Sequence, residues 1–130
     1  MENKILFKNF DEGKLLVPQY KNSFKKISWT NHPTFEGVKL KHIITAKDTN
    51  EKFSFHLVQI DPNKKIEMHV HKTQIETHEI ISGTGICIND GKKLNYTSGT
   101  ISIFPMNVPH EIIAGDNGLF LFAKFFPALC

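Results

Sequence analysis

The sequence predicts an all-β fold, a sandwich or barrel of short strands, and three observations carry that reading. Period-two and continuous β-branched runs recur along the chain, whereas amphipathic helical periodicity is scarce. Turn chemistry separates the runs, in "KDTNEK", "DPNKK", "SGTG", "NDGKK", "TSGT", "PMNVP" and "AGDNG". Eleven of the 130 residues are phenylalanine, a core-filling side chain, in a composition otherwise ordinary for a globular protein. At this length one domain is expected, large enough to bury a core without staples.

Taken in order, residues 1–35 are irregular and are expected to form an N-terminal arm or strand packing on the barrel or on a partner subunit, or a short helical turn. Residues 36–130 supply the barrel. Its first strand is expected at 37–45, where Val38, Leu40, His42 and Ile44 share parity. A second follows at 53–60, with His56, Val58 and Ile60 in phase, and a third at 66–71, "IEMHVH". The remaining runs lie at 78–82, 85–89, 100–104, 109–114 and 118–126, the last of them "GLFLFAKFF". Eight short strands at this spacing suit a sandwich or barrel.

Charge and cysteine usage exclude several classes. The formal net charge is only +3 and all sixteen basic residues are lysine. Without arginine the chain lacks the side chain best suited to bidentate phosphate and guanine contacts, so no nucleic-acid partner is expected. No run approaches the ~20 apolar residues of a membrane span, and no membrane partner is expected. The start, "MENKILFKNFDEG", has no signal-peptide core. The two cysteines, Cys87 and Cys130, form neither a disulfide framework nor a CxxC pair. A cytoplasmic setting is expected.

The chemistry concentrates in "HVHKTQIETHEIISGTG". Alternation sends His69 and His71 to one face, where both imidazoles can reach a single metal ion. Glu76 follows after four residues, enough for a short turn to return its carboxylate to the same centre. A fourth ligand should come from a strand distant in sequence, and His110, after "FPMNVP", is the candidate.

These residues resemble the two motifs of the cupin superfamily. The first, G-x5-H-x-H-x3–4-E-x6-G, reads here as Asn63, His69, His71, Glu76 and Gly83. The second, G-x5-P-x-G-x2-H-x3-N, reads as Gly99, Pro105, Asn107, His110 and Ala114. Fifteen residues separate Gly83 from Gly99, a spacing typical of compact members. Asparagine replaces glycine at positions 63 and 107, and asparagine is the next best residue at positive φ. Ala114 replaces an asparagine of structural role. The resemblance implies a jelly-roll (double-stranded β-helix) barrel, often a homodimer, with His69, His71, Glu76 and His110 as metal ligands. Imidazoles with one carboxylate suit Fe, Mn, Ni, Co or Zn as the divalent ion, and the donor set does not choose among them. Four protein ligands on an octahedral ion leave two adjacent positions for water, dioxygen or a chelating small molecule.

Other polar residues are weighed against ordinary structural roles. His78, two residues beyond Glu76, is the candidate catalytic residue for proton transfer; it can instead line the cavity, donate a hydrogen bond to a ligand or be a partly exposed strand histidine. Glu79 should face the other way. His42 and His56 are read as satisfied core histidines, either of which can line the pocket. Cys87 reads as a small buried residue, with a cavity thiol near the metal as the alternative. Lys124 either reaches solvent or points into the cavity towards an anion. Phe104, Phe120, Phe122, Phe125 and Phe126 are expected to pack strands, and Trp29 with "NHPTFEG" to cover one barrel mouth.

The resemblance thus implies a mononuclear metal-dependent enzyme acting on a small oxygen-rich molecule, as a dioxygenase or as an isomerase, epimerase or lyase. The alternatives are a non-catalytic module that binds or senses a small molecule or metal, and a structural barrel with an adventitious ion.

Overall fold

The computed structural model describes residues 2–130. The chain opens with helix α1 (Glu2–Asp11) and a hairpin of β1 (Lys14–Val17) and β2 (Tyr20–Ser23). A 3-10 turn (Phe24–Lys26) and β3 (Thr30–Asn31) lead into β4 (Val38–Ile44), the one-turn helix α2 (Ala46–Thr49) and β5 (Ser54–Ile60). Then come β6 (Lys65–His69), β7 (Ile75–Asn89), β8 (Lys92–Tyr96), β9 (Ile101–Phe104) and β10 (His110–Phe126).

The long strands β7 and β10 are shared between two antiparallel layers. The first half of β7 and the second half of β10 pair with each other, flanked by β9 on one side and by β5, β4 and β3 on the other. Their remaining halves pair again in the second layer, flanked by β6 and β8. This is the jelly-roll arrangement; hydrogen bonding leaves edges at β3 and β9 in one layer and at β6 and β8 in the other, so the barrel is open.

The passage between layers needs two glycines. Gly83 (φ +86°) and Gly118 (φ +78°) face each other where the β7–β10 register shifts, and a Cβ on Gly83 would stand 2.0 Å from the Gly118 carbonyl oxygen. Only glycine tolerates both the backbone angle and the approach. The turns "SGTG" and "AGDNG", expected to end strands, instead bend two continuous ones. Asn63 (φ 63°) and Asn107 (φ 68°) adopt the left-handed conformation expected of them.

The inner core between the layers holds Val38, Val58, Ile60, Ile80, Cys87, Tyr96, Phe104, Ile112, Leu119, Leu121 and Phe125. Alternation along β10 sends Leu119, Leu121 and Phe125 inward and Phe120, Phe122 and Lys124 outward. Of the outward set, Phe120 and Phe122 pack against a second cluster of Phe7, Phe24, Ile43, Leu57 and Ile81. Here α1 docks, with Phe7 edge-on to Phe120 (5.1 Å between centroids) and Phe10 edge-on to Phe122 (4.9 Å).

Several expectations change. The N-terminal segment, for which an extra strand, a short helical turn or an arm was expected, begins with the ten-residue helix α1, held by tertiary contact with β7 and β10 rather than by its own periodicity. Strand β8 was not expected, because "KKLNY" is an exposed edge on which only Tyr96 is buried. The strand expected to reach residue 71 ends at His69. Trp29 does not cover the barrel mouth: it packs near Phe7, and its Nε1–H donates to Asp11 Oδ1 (3.0 Å). The same carboxylate pairs with Lys41 Nζ (2.5 Å), which explains how a lysine 3% exposed is tolerated. Lys124 lies outside the barrel, over the Phe55 ring (4.5 Å) and paired with Glu79. Phe126 is not a core residue, being 39% exposed.

Candidate metal centre

Three strands and one turn bring the four candidate ligands together. His69 ends β6 and stands opposite His110, the first residue of β10, so the antiparallel register itself faces the two rings (4.2 Å between centroids). His71 lies just past the strand, where the Asn107 N–H donates to its carbonyl (2.8 Å). The left-handed Asn107 turn, two residues after Pro105, therefore positions a histidine from the other motif. Glu76 enters from β7, between Phe104 of β9 and Phe125 of β10, and is 5% exposed.

The donor atoms of His69, His71, Glu76 and His110 all lie within 4.8 Å of one another. Glu76 Oε1 is 3.3 Å from His71 Nε2 and 3.1 Å from His110 Nε2. Adjacent ligands bonded at about 2.1 Å to an octahedral ion stand roughly 3 Å apart, so these separations fit such a polyhedron. The rings are oriented from behind: His69 Nδ1–H donates to the Glu67 carbonyl (2.7 Å) and His110 Nδ1–H to that of Val108 (3.0 Å). That fixes the tautomer and leaves each Nε2 to face the cluster, the usual support for a ligating imidazole. The residues present fit a mononuclear divalent transition metal and could hold one.

His78 lies behind Glu76. Its Nε2–H donates to Glu76 Oε2 (2.9 Å), while its Nδ1 is 3.1 Å from the Tyr96 hydroxyl, itself bonded to Ser102 Oγ. At 1% exposure His78 is not the partly exposed strand histidine that was one expectation. Burial alone would push the Glu76 carboxyl up; electrostatic attraction to His78 and the polar contacts with His110, His71 and His78 hold it well below the ordinary range. Burial also lowers His69, with His110 and His71 adding to that effect and the Glu67 and Glu76 contacts opposing it.

The cluster opens onto a cavity of about 130 Å³. Its wall is apolar, from Leu40, Val58, Ile66, Phe125 and Leu129, and His32 and His56 border it. His32, carried by the "NHPTFEG" loop, stacks on Phe35 (4.5 Å), which reaches the His69 ring (5.9 Å), so this part of the loop does approach the site. A larger hollow of about 480 Å³ lies beside α1, but its charged wall groups include the already paired Glu79 and Lys124, and it contains no group of possible metal donors among the described residues.

His32, Tyr96 and Ser102 were not singled out in the sequence. Tyr96 belongs to the unexpected β8. Ser102 is buried while its apolar neighbours Ile101 and Ile103 are 67% and 60% exposed, the reverse of what hydrophobicity suggests. His42 and His56 lie outside the four-donor group and contact each other, Nδ1 to Nδ1 at 2.7 Å.

The Cupin domain family profile matches residues 56–122, just over half of the chain, which includes every donor of the cluster. The chain belongs to that family. Comparison with curated protein sequences gives no significant match. Among solved structures, a predicted oxalate decarboxylase from Thermotoga maritima is similar at TM-score 0.73 and 19% identity, covering 79% of this chain and 95% of that one. KdgF from a Halomonas species aligns at TM-score 0.68 and 16% identity, over 77% and 86%. An RmlC-like cupin from Shewanella frigidimarina aligns at TM-score 0.70 and 18% identity, over 81% and 87%. Identities this low establish the shared fold.

Proposed function

We propose that this cupin is a mononuclear metal-dependent enzyme acting on a small, neutral, oxygen-rich molecule such as a carbonyl compound, phenol or polyol. The observation that carries the reading is the convergence of His69, His71, Glu76 and His110 at the mouth of an apolar cavity. These four residues would hold the ion, which when bound supplies a Lewis acid for adjacent substrate oxygens.

The protein's own groups do the rest. His78 and Tyr96 orient the carboxylate, with one Glu76 oxygen left towards the histidines. Leu40, Val58, Phe125 and Leu129 exclude water and strengthen every polar contact inside. A volume of about 130 Å³ is roughly that of four waters, so the ligand is small. No lysine borders this cavity among the described residues, and the chain has no arginine, which argues against an anion such as the oxalate for which one structural neighbour is named. Whether the reaction is a dioxygenation or a redox-neutral isomerisation, epimerisation or elimination follows from the ion.

A second reading is a module that binds without turnover. Its support is that both ring nitrogens of His78 are already hydrogen-bonded, so it is not a ready acid or base. Resemblance to small cupins also leads us to propose a homodimer.

The first experiment is metal content after anaerobic purification, in wild type, His69→Ala and His110→Ala. Near-stoichiometric metal lost from both variants is the expected result. An empty wild type, or metal retained in both variants, would overturn the ligand set. With metal established, iron directs the next assays to oxygen uptake, and manganese, nickel, cobalt or zinc to isomerase and lyase substrates. Tight ligand binding without turnover would select the second reading.

A further inference from the structure

A second group of donors lies apart from the proposed ligands. One ring nitrogen each of His42 and His56 and the Cys130 sulfur lie within 4.8 Å of one another. The histidines are cross-strand partners on β4 and β5, with rings at 87° and the two Nδ1 atoms 2.7 Å apart. Cys130 is brought to them by the 127–130 segment. The Ala46 N–H donates to the Cys130 carbonyl (2.6 Å), the Ala128 N–H to that of Glu51 (3.2 Å), and the Leu129 N–H to Ser54 Oγ (2.8 Å).

We propose that His42, His56 and Cys130 form a second transition-metal site, for a cation of the zinc or copper class, which clasps the 127–130 segment onto β4 and β5. Two imidazoles and a thiolate are a softer donor set than the three imidazoles and carboxylate inside the barrel, and they favour those cations. His56 Nε2 is 2.7 Å from Ser54 Oγ, an oxygen that can accept both the Leu129 N–H and an imidazole N–H. In that tautomer the His56 Nδ1 lone pair faces His42, and a cation satisfies the two facing nitrogens. The hydroxyl then plays the orienting part that carbonyls play for His69 and His110. Burial lowers the pKa of both imidazoles, which favours the neutral form that a metal requires. Half-buried His42 and exposed Cys130 leave a route for entry. Because His56 and Leu129 also border the barrel cavity, the clasp would fix one wall of the pocket.

Cobalt(II) distinguishes the two centres, because only this one offers sulfur. Titration of the intact metal-free protein with Co²⁺ should produce a thiolate-to-cobalt charge-transfer band. That band should vanish in Cys130→Ser and in His42→Asn, with about one equivalent less cobalt bound. It should persist in His69→Ala and His110→Ala, so loss of the barrel site and loss of this one read differently. Zn²⁺ should raise the melting temperature of His110→Ala, and the rise should disappear when Cys130→Ser is added. Absence of a charge-transfer band in folded wild type at saturating cobalt, or its survival in Cys130→Ser, would overturn the proposal.

Discussion

Glu76 is engaged on both oxygens, one towards His71 and His110 and the other by His78. His78 borders the barrel cavity, but both its ring nitrogens are engaged, by Glu76 and by Tyr96, so we expect it to act by positioning Glu76 rather than by exchanging a proton with substrate. His78→Gln should weaken metal affinity about 10–100-fold. Tyr96→Phe, which removes one hydroxyl from the same chain, should weaken it less. Metal titration of the purified variants checks both. Unchanged affinity with lost turnover would return His78 to a proton-transfer role.

At the scale of elements, α1 is the part least able to stand alone. Ten residues are too few for a stable isolated helix, so its order rests on Phe7 and Phe10 against Phe120 and Phe122 and on the Asp11 contacts to Trp29 and Lys41. Phe7→Ala should destabilise the protein by about 3 kcal/mol, read as a lower urea midpoint. A change below about 0.5 kcal/mol would mean that α1 contributes nothing to the fold. The same element explains the phenylalanine surplus, since alternation on β10 gives one aromatic set to the inner core and another to the helix. Most barrel strands were legible from the sequence because their inward residues are apolar and evenly spaced. Helix α1 and strand β8 were not: the main partners of α1 lie far along the chain on β7 and β10, the aromatic ones more than a hundred residues away, and β8 buries one residue.

For the whole molecule, buried histidines link folding to pH. Burial, with help from His42 and against a smaller pull from Glu76, takes His56 from an ordinary 6.5 down to about 3. Below pH 6.5 the unfolded chain therefore binds a proton that the folded chain refuses, and stability falls as pH drops towards about 3. The slope is about 1.4 kcal/mol per pH unit for this group. His42 and His69, also lowered, act in the same direction below their ordinary 6.5, and Glu76 does so below its ordinary 4.5. Urea unfolding of chelator-treated protein across this range should show the fall, and His56→Gln should flatten it. Stability that is level from pH 6.5 to 4 in both proteins would contradict the burial of a neutral His56.

The sequence by itself determined the all-β class, the donor residues to examine and the two asparagine turns, because each is written in local terms. Strand alternation, side-chain chemistry at joint spacings and tolerance of positive φ need no knowledge of distant contacts. Tertiary structure alone decided which face of β9 turns inward, why the buried Glu76 carboxylate is held by Tyr96 and Ser102 through His78, and how Cys130 meets His42 and His56. Those outcomes depend on segments far apart in the chain. Their side chains carry no mark of the partner until two layers, bent at Gly83 and Gly118, place them face to face.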